Sequence, residues 1–269
     1  MRTIYDRWIR KSVFAVGAIV LLFSMVKVGA YLQDGYKNRK TYAEIRNVYY
    51  EPVRVQQLSS LPKPSEPIAQ PQPSTAPLEK KFNVRFTDLV KRNEDIVGWI
   101  TIEGTRIDYP VTQGEDNEFY LEHDVNKEEN VAGSIFMDYR NNVGGFNRNF
   151  IIYGHDMKNK TMFADLVGYE SRWNFENKAT IEFDTIYGTG KWIIFSAYTT
   201  DSSFDYIKTD FASDEEYGAF LNEVKEKSLH HSDVEVSSKD TILTLSTCSS
   251  AFENARFVVH AKLIDQNGD

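Results

Sequence analysis

The sequence predicts a mainly β fold, a single barrel or sandwich of eight short strands with a few helices, preceded by a membrane-spanning helix. Three observations predict it. From about Leu78 onward, short runs rich in Ile, Val, Phe, Tyr and Thr recur between Gly, Asn and Asp signals, and only Pro110 interrupts them. Near the N-terminus, an apolar run follows a basic cluster. Between these two regions, seven of the eight prolines fall from Pro52 to Pro77.

The first element is the basic cluster Arg2, Arg7, Arg10 and Lys11, followed by an uncharged run from Ser12 to Val26. Lys27 interrupts the run, and Val28 to Leu32 is apolar again. The 21 residues from Ser12 to Leu32 are close to the ~20 that a helix needs to cross the hydrocarbon core of a bilayer. Lys27 near one end can snorkel to the headgroups, and the basic cluster predicts a cytoplasmic N-terminus. A cleaved signal peptide is the competing reading, with Val28-Gly29-Ala30 as its small-residue site. The resumption of apolar sequence after Lys27 favours the uncleaved anchor. Residues 33–51 are polar and mixed in charge, with a short helix expected around Tyr42 to Tyr49. Prolines at 62, 64, 67, 71, 73 and 77 then hold the chain extended as a semi-rigid spacer.

The expected strands are Val97–Ile102, Arg106–Thr112, Gly133–Asp138, Asn149–His155, Ala179–Asp184, Lys191–Thr199, Thr241–Cys248 and Arg256–Ile264. Expected helices are Phe86–Asn93, Thr161–Val167 and, longest, Ser213–Ser228. In the last, Tyr217, Phe220, Leu221 and Val224 are spaced for one apolar face. Ser213 with Glu216 three residues on is a capping-box start.

The 41% hydrophobic content supports a real core. A net charge of −8 and a pI near 5.3 leave no global basic field for nucleic acid. The single cysteine, Cys248, excludes an internal disulfide and a cysteine-based zinc cluster. No metal-ligand constellation and no Gly-rich phosphate loop appears, so neither a metal nor a cofactor is expected.

Strand alternation sets Leu243 and Leu245 on one face, and Thr244, Ser246 and Cys248 on the other. A structural cysteine would more naturally alternate with the leucines. A cysteine nucleophile needs a base or a positive neighbour, because little of an unperturbed thiol is ionised near neutrality. Among five histidines, His123, His230 and His231 sit in polar runs and read as solvated. His155 closes an apolar strand directly after Gly154, with room beside it. His260 lies inside a strand on the face of Arg256 and is the rival base. Arg256 follows Cys248 by eight residues, the length of an antiparallel return that brings the two together. Its guanidinium, always charged, could hold a carbonyl or an oxyanion.

These residues carry a resemblance. Thr-Leu-Ser-Thr-Cys at 244–248, with Arg256 in Ala-Arg-Phe-Val-Val-His, resembles the active-site signature of the sortases. Ile-Ile-Tyr-Gly-His-Asp-Met at 151–157, followed by Met162-Phe163, resembles their histidine motif. Gly98-Trp99-Ile100, Ile107 to Val111, Gly133 to Asn141 and the helix Ser213–Ser228 look like class B in particular. The resemblance covers about residues 80–265 and implies a closed eight-stranded β-barrel with a groove leading to the cysteine.

It further implies a cysteine transpeptidase of Gram-positive cell surfaces that cleaves a sorting signal after threonine and forms a thioacyl intermediate. The acyl group then passes to an amine, attaching surface proteins to the cell wall. Carried over, Cys248 is the nucleophile, His155 the general acid and Arg256 the stabiliser of carbonyl and oxyanion, with Ser246 and Thr247 lending polar contacts to substrate. No calcium is implied. The implied partners are surface proteins bearing a sorting signal, related to Asn-Pro-x-Thr or Ser-Pro-x-Thr, and an amine acceptor, a peptidoglycan peptide. One departure stands out: Ser249 and Ser250 follow the cysteine where many class B members have an acidic residue, and Asp156 and Glu253 are weak substitutes. His260 reads as structural.

The expected organisation is a cytoplasmic tail over 1–11, a transmembrane signal anchor over 12–32, an extracellular Pro-rich stalk over 33–78 and a catalytic domain over 79–269. The alternatives are a secreted cysteine peptidase or amidase, and a non-catalytic membrane-tethered β-domain. A papain-type enzyme would place its cysteine before its histidine and at a helix start, which this sequence does not.

Overall fold

Each of the eight apolar runs forms a strand in the computed structural model, which describes residues 2–59, 82–201, 203–249, 251–252 and 254–267. The strands are β1 (Ile96–Thr101), β2 (Asp108–Thr112), β3 (Ile135–Met137), β4 (Asn149–Tyr153), β5 (Thr180–Thr185), β6 (Thr189–Thr200), β7 (Ile242–Cys248) and β8 (Arg256–Asn267). They close into one barrel in the order β1-β2-β3-β4-β7-β8-β6-β5. Pairs β2–β3 and β4–β7 are parallel and the others antiparallel. β6 and β8 pair along most of their length, with register shifts at Lys191/Trp192 and Ile194/Ser196. Such bulges bend and twist a strand, which barrel closure requires.

The helices are α1 (Arg2–Ser59), α2 (Thr87–Arg92), α3 (Phe119–Glu122), α4 (Arg172–Asn177) and α5 (Asp214–Glu226). A 3-10 turn, Val84–Phe86, leads into α2, and a longer 3-10 helix, Ala164–Glu170, stands where Thr161–Val167 was expected. α3 and α4 carry no periodic apolar pattern in so few residues, so the sequence reading contains neither. α5 follows its expectation closely. Glu216 N donates to Ser213 Oγ at 3.2 Å as the cap, and Tyr217, Phe220, Leu221 and Val224 are buried. They pack with Phe195, Tyr198, Tyr206, Ile242 and Val258, each such side chain contributing about 1.5–3 kcal/mol on full burial.

This layer changes the picture of β7. Alternation gave it one core face and one polar face, yet both faces are buried from Ile242 to Thr247, and Cys248 alone is exposed. Leucines 243 and 245 pack with the core, while Thr244 and Ser246 lie under the cover that α5 and its preceding loop provide.

The chain divides into two units, residues 1–44 and 45–269. In the first, Phe14, Ile19, Leu22, Phe23, Val26 and their neighbours expose large apolar surfaces. The stretch is long and apolar enough to cross a membrane by length and composition. In the second, part of the expected stalk has another place. Ile45 and Tyr49 are buried. Tyr49 stacks on Trp99 with ring centroids 4.2 Å apart, and its hydroxyl donates to Asp184 at 2.5 Å. Arg46 pairs with Asp108 at 2.6 Å, and Tyr50 donates to the same carboxylate. An aromatic pair, one ion pair and the tyrosine hydroxyls on Asp184 and Asp108 hold residues 45–50 to the barrel wall, so no free spacer begins there. The proline cluster from Pro62 to Pro77 lies outside the described residues, as do Ser250 and Glu253.

Candidate active site

The register of three neighbouring strands assembles the site. β7 lies between β4 and β8. Tyr153, the last residue of β4, pairs with Ser246, and Gly154 N donates to Ser246 O at 3.2 Å. Two residues further along each chain come His155 and Cys248. On the other side, Cys248 pairs directly with Arg256. Partners in a ladder share a face, so imidazole, thiol and guanidinium emerge together at one rim of the barrel.

His155 lies just beyond the strand rather than in it, in a loop closed by the Asp156–Met162 bridge and by Phe163 N donating to His155 O at 2.9 Å. Gly154 permits this, since a Cβ there would collide with Ile135 and Phe163. The ring Nε2 donates to Leu121 O at 2.8 Å, which leaves Nδ1 for the thiol. Gly133 (φ 55°) lets the backbone pass beside Leu121, because a Cβ there would sit 2.6 Å from the Leu121 carbonyl oxygen.

The electrostatics follow from these contacts. The hydrogen bond with His155 is the largest influence on Cys248 and lowers its pKa; burial opposes this, and the charges of Arg256 and His155 add to it. Asp156 is close enough to oppose the thiolate. The same hydrogen bond raises His155, against burial, with Leu121 O adding to the rise. The pair is therefore biased toward thiolate and imidazolium. Among the described residues, Arg256 engages only Nη1, with the carbonyls of Asn254 (3.3 Å) and Ala255 (3.2 Å).

Arg256 also lines a groove of about 600 Å3, with Leu121, Tyr153, Phe204, Tyr206 and Ile207 among its walls. Sequence reasoning missed these walls. Leu121 acts through a backbone carbonyl, which no side-chain pattern reports, and Tyr206 sits in a loop with no periodic signal.

The two residues expected to contact substrate are differently placed. Ser246 is buried, its hydroxyl bonded to Tyr206 OH at 3.0 Å. Thr247 is buried on the face opposite Cys248, and its Oγ1 has no hydrogen-bond partner among the described residues. His260 is fully buried. Tyr198 OH donates to its Nε2 (2.8 Å) and its Nδ1 donates to Thr244 Oγ1 (2.9 Å), which in turn donates to Asn149 Oδ1 (2.6 Å). Burial pushes its pKa down to about 3, so this imidazole is neutral and structural. His230 is half-buried, its Nε2 against the Tyr169 carbonyl at 3.0 Å, and His123 stacks on Phe119; neither is simply solvated.

Residues 100–264 match the sortase domain family. Sortase B of Listeria monocytogenes is 35% identical over 256 residues, 94% of this chain and 96% of that protein. The chain belongs to the sortase family. Sortase B of Staphylococcus aureus is 47% identical to this sortase over 182 residues, 67% of this chain and 75% of that protein. A solved S. aureus sortase B–substrate complex superposes with a TM-score of 0.74 at 37% identity, covering 87% of this chain and 99% of that one. This sortase is thus a cysteine transpeptidase of the class B type with the closed barrel of that class.

Proposed function

We propose that Cys248, His155 and Arg256 carry the transpeptidation, on one observation above all: adjacent strands bring thiol, imidazole and guanidinium to one face of one rim. The Cys248 thiolate attacks the carbonyl carbon of the threonine in a sorting signal. Arg256 donates to the oxyanion that forms. Collapse of the intermediate breaks the C–N bond, and the His155 imidazolium gives its proton to the leaving amine. A thioacyl enzyme remains, with a neutral imidazole beside it. An acceptor amine then attacks the thioester, His155 takes back a proton, and Cys248 leaves as thiolate. The thioester conserves the acyl energy, so no external energy source is needed.

Ser246 supports this site through Tyr206 in the groove wall, and Thr247, paired with Phe257 in the ladder, precedes the cysteine at the strand end. The groove beside Arg256 receives the sorting signal of a surface protein, a reading supported by the likeness to a sortase B solved with substrate. The acceptor is a peptidoglycan peptide amine. The exposed apolar stretch of α1 anchors the enzyme in the cell membrane by a single pass, with the basic N-terminus cytoplasmic and the barrel outside. Residues 12–32 form that anchor.

The test incubates the full chain and its Cys248→Ala, His155→Ala and Arg256→Ala variants with labelled sorting peptides. Each is run with and without an amine acceptor, and products are read by mass spectrometry. Cleavage after threonine with an amine-joined product, lost in Cys248→Ala and His155→Ala and strongly reduced in Arg256→Ala, is the expected result. An amine-joined product that persists in Cys248→Ala would overturn the assignment.

A further inference from the structure

Asp138 follows β3 and its side chain is wholly buried, a position that strongly disfavours an unpaired carboxylate. Arg140 answers it with a fork, Nε to Oδ1 at 2.8 Å and Nη2 to Oδ2 at 2.7 Å, and with its backbone N–H to Oδ1 at 3.0 Å. Tyr153 OH and Asn117 Nδ2 both donate to Oδ2, at 2.8 and 3.0 Å. Burial is the largest influence on this carboxyl and pushes its pKa up, but these hydrogen bonds together hold it below the usual range.

The partners belong to different walls of the groove. Asn117 comes from the β2–α3 connection, and Tyr153 from the end of β4. Another wall is Phe204 to Ile207, in the β6–α5 connection, and Arg140 Nη2 donates to the Ile207 carbonyl at 2.9 Å. The base of this device is itself fixed. Gln113 Nε2 donates to the carbonyls of Asp138 and Asn141 (2.9 and 2.7 Å), and Asn141 bonds the backbone of Asn149 and Ile151 in β4. One buried carboxylate and one arginine thus tie two walls and the end of a strand to the same point. Neither residue lines the groove or touches Cys248, His155 or Arg256.

We propose that the Asp138–Arg140 pair is a positioning element that sets the spacing of the groove walls, so that Arg140 governs how tightly a sorting signal is held. The proposal rests on the groove being the sorting-signal site. Lysine at 140 keeps the charge but cannot reproduce the fork and reach Ile207 O at once.

The test measures kcat and KM for a labelled sorting peptide, and the rate at which iodoacetamide alkylates Cys248, in the full chain. Arg140→Lys and the wall variant Ile207→Ala are compared with wild type. Arg140→Lys is expected to raise KM about tenfold, the loss expected from one hydrogen bond to a charged group. Its kcat and alkylation rate stay within about twofold of wild type, because the reacting residues are untouched. If Ile207→Ala raises KM and Arg140→Lys does not, the positioning role fails while the groove reading stands. If neither variant changes KM, the groove reading fails and takes the proposal with it. A fall in kcat and alkylation at unchanged KM would place Arg140 in the chemistry and overturn its positioning role. Should Arg140→Lys fail to fold, the pair Asp138→Asn with Arg140→Gln leaves no orphaned charge, and the same readings apply.

Discussion

Cys248 and Arg256 are direct partners in the antiparallel ladder of β7 and β8. Thiol and guanidinium therefore leave the sheet on the same side, fixed by backbone hydrogen bonds rather than by flexible loops. A site residue held by a ladder is more precisely aimed than one on a loop, and here only His155 needs separate positioning. That comes from Leu121 O and from the closed loop after Gly154.

The thiol should ionise below the ordinary range, since His155 and Arg256 both favour the thiolate. Alkylation of Cys248, followed against pH, is expected to show this. His155→Ala should move the midpoint upward most and Arg256→Ala less. A midpoint unmoved by either variant would separate these residues from the thiol.

His260 couples folding to pH. Its pKa is about 3 when folded and ~6.5 when unfolded, so below pH ~6.5 the unfolded chain binds a proton that the folded chain refuses. Stability from this group is complete above pH ~6.5 and is lost toward pH 3, by up to about 1.4 kcal/mol per pH unit. Denaturant unfolding at pH 7.5 and 5 should show a smaller difference for His260→Gln than for wild type. Equal differences would refute the coupling.

Gly154 has no room for a methyl group against Ile135 and Phe163. Gly154→Ala should cost about 1–3 kcal/mol of stability, as overpacking does. It should also lower kcat by displacing His155. Thermal unfolding and steady-state kinetics on one preparation would show both effects; a variant with wild-type values would mean that the loop relaxes freely.

Tyr49 covers Trp99 and bonds Asp184. Tyr49→Ala should cost about 3–5 kcal/mol, in line with truncating a buried aromatic residue. A chain shortened to begin near residue 80 should lose at least as much. Urea unfolding followed by tryptophan fluorescence measures both. An unchanged midpoint would return residues 45–50 to a free stalk.

The sequence by itself determined all eight strands and the long helix with its cap, and it singled out Cys248, His155 and Arg256 as the candidate site. These depend on local rules: alternation, 3.6-residue spacing, turn residues and a family motif. It left His155 and His260 as rival bases on residue pattern alone, and only the family resemblance made His260 structural, as its burial between Tyr198 and Thr244 bears out. Only the tertiary structure decided which strands are neighbours, and so which strand ends meet. It alone showed that β7 is covered on both faces, because the cover comes from α5, some twenty residues away in sequence. It alone drew Tyr49 onto Trp99, set the Leu121 carbonyl against His155, and gathered Asn117, Tyr153 and Ile207 around the Asp138–Arg140 pair. The physical reason is the same in each case. These contacts join segments far apart in the chain, many through backbone groups that every residue carries, and no local pattern of side chains encodes where a carbonyl will point.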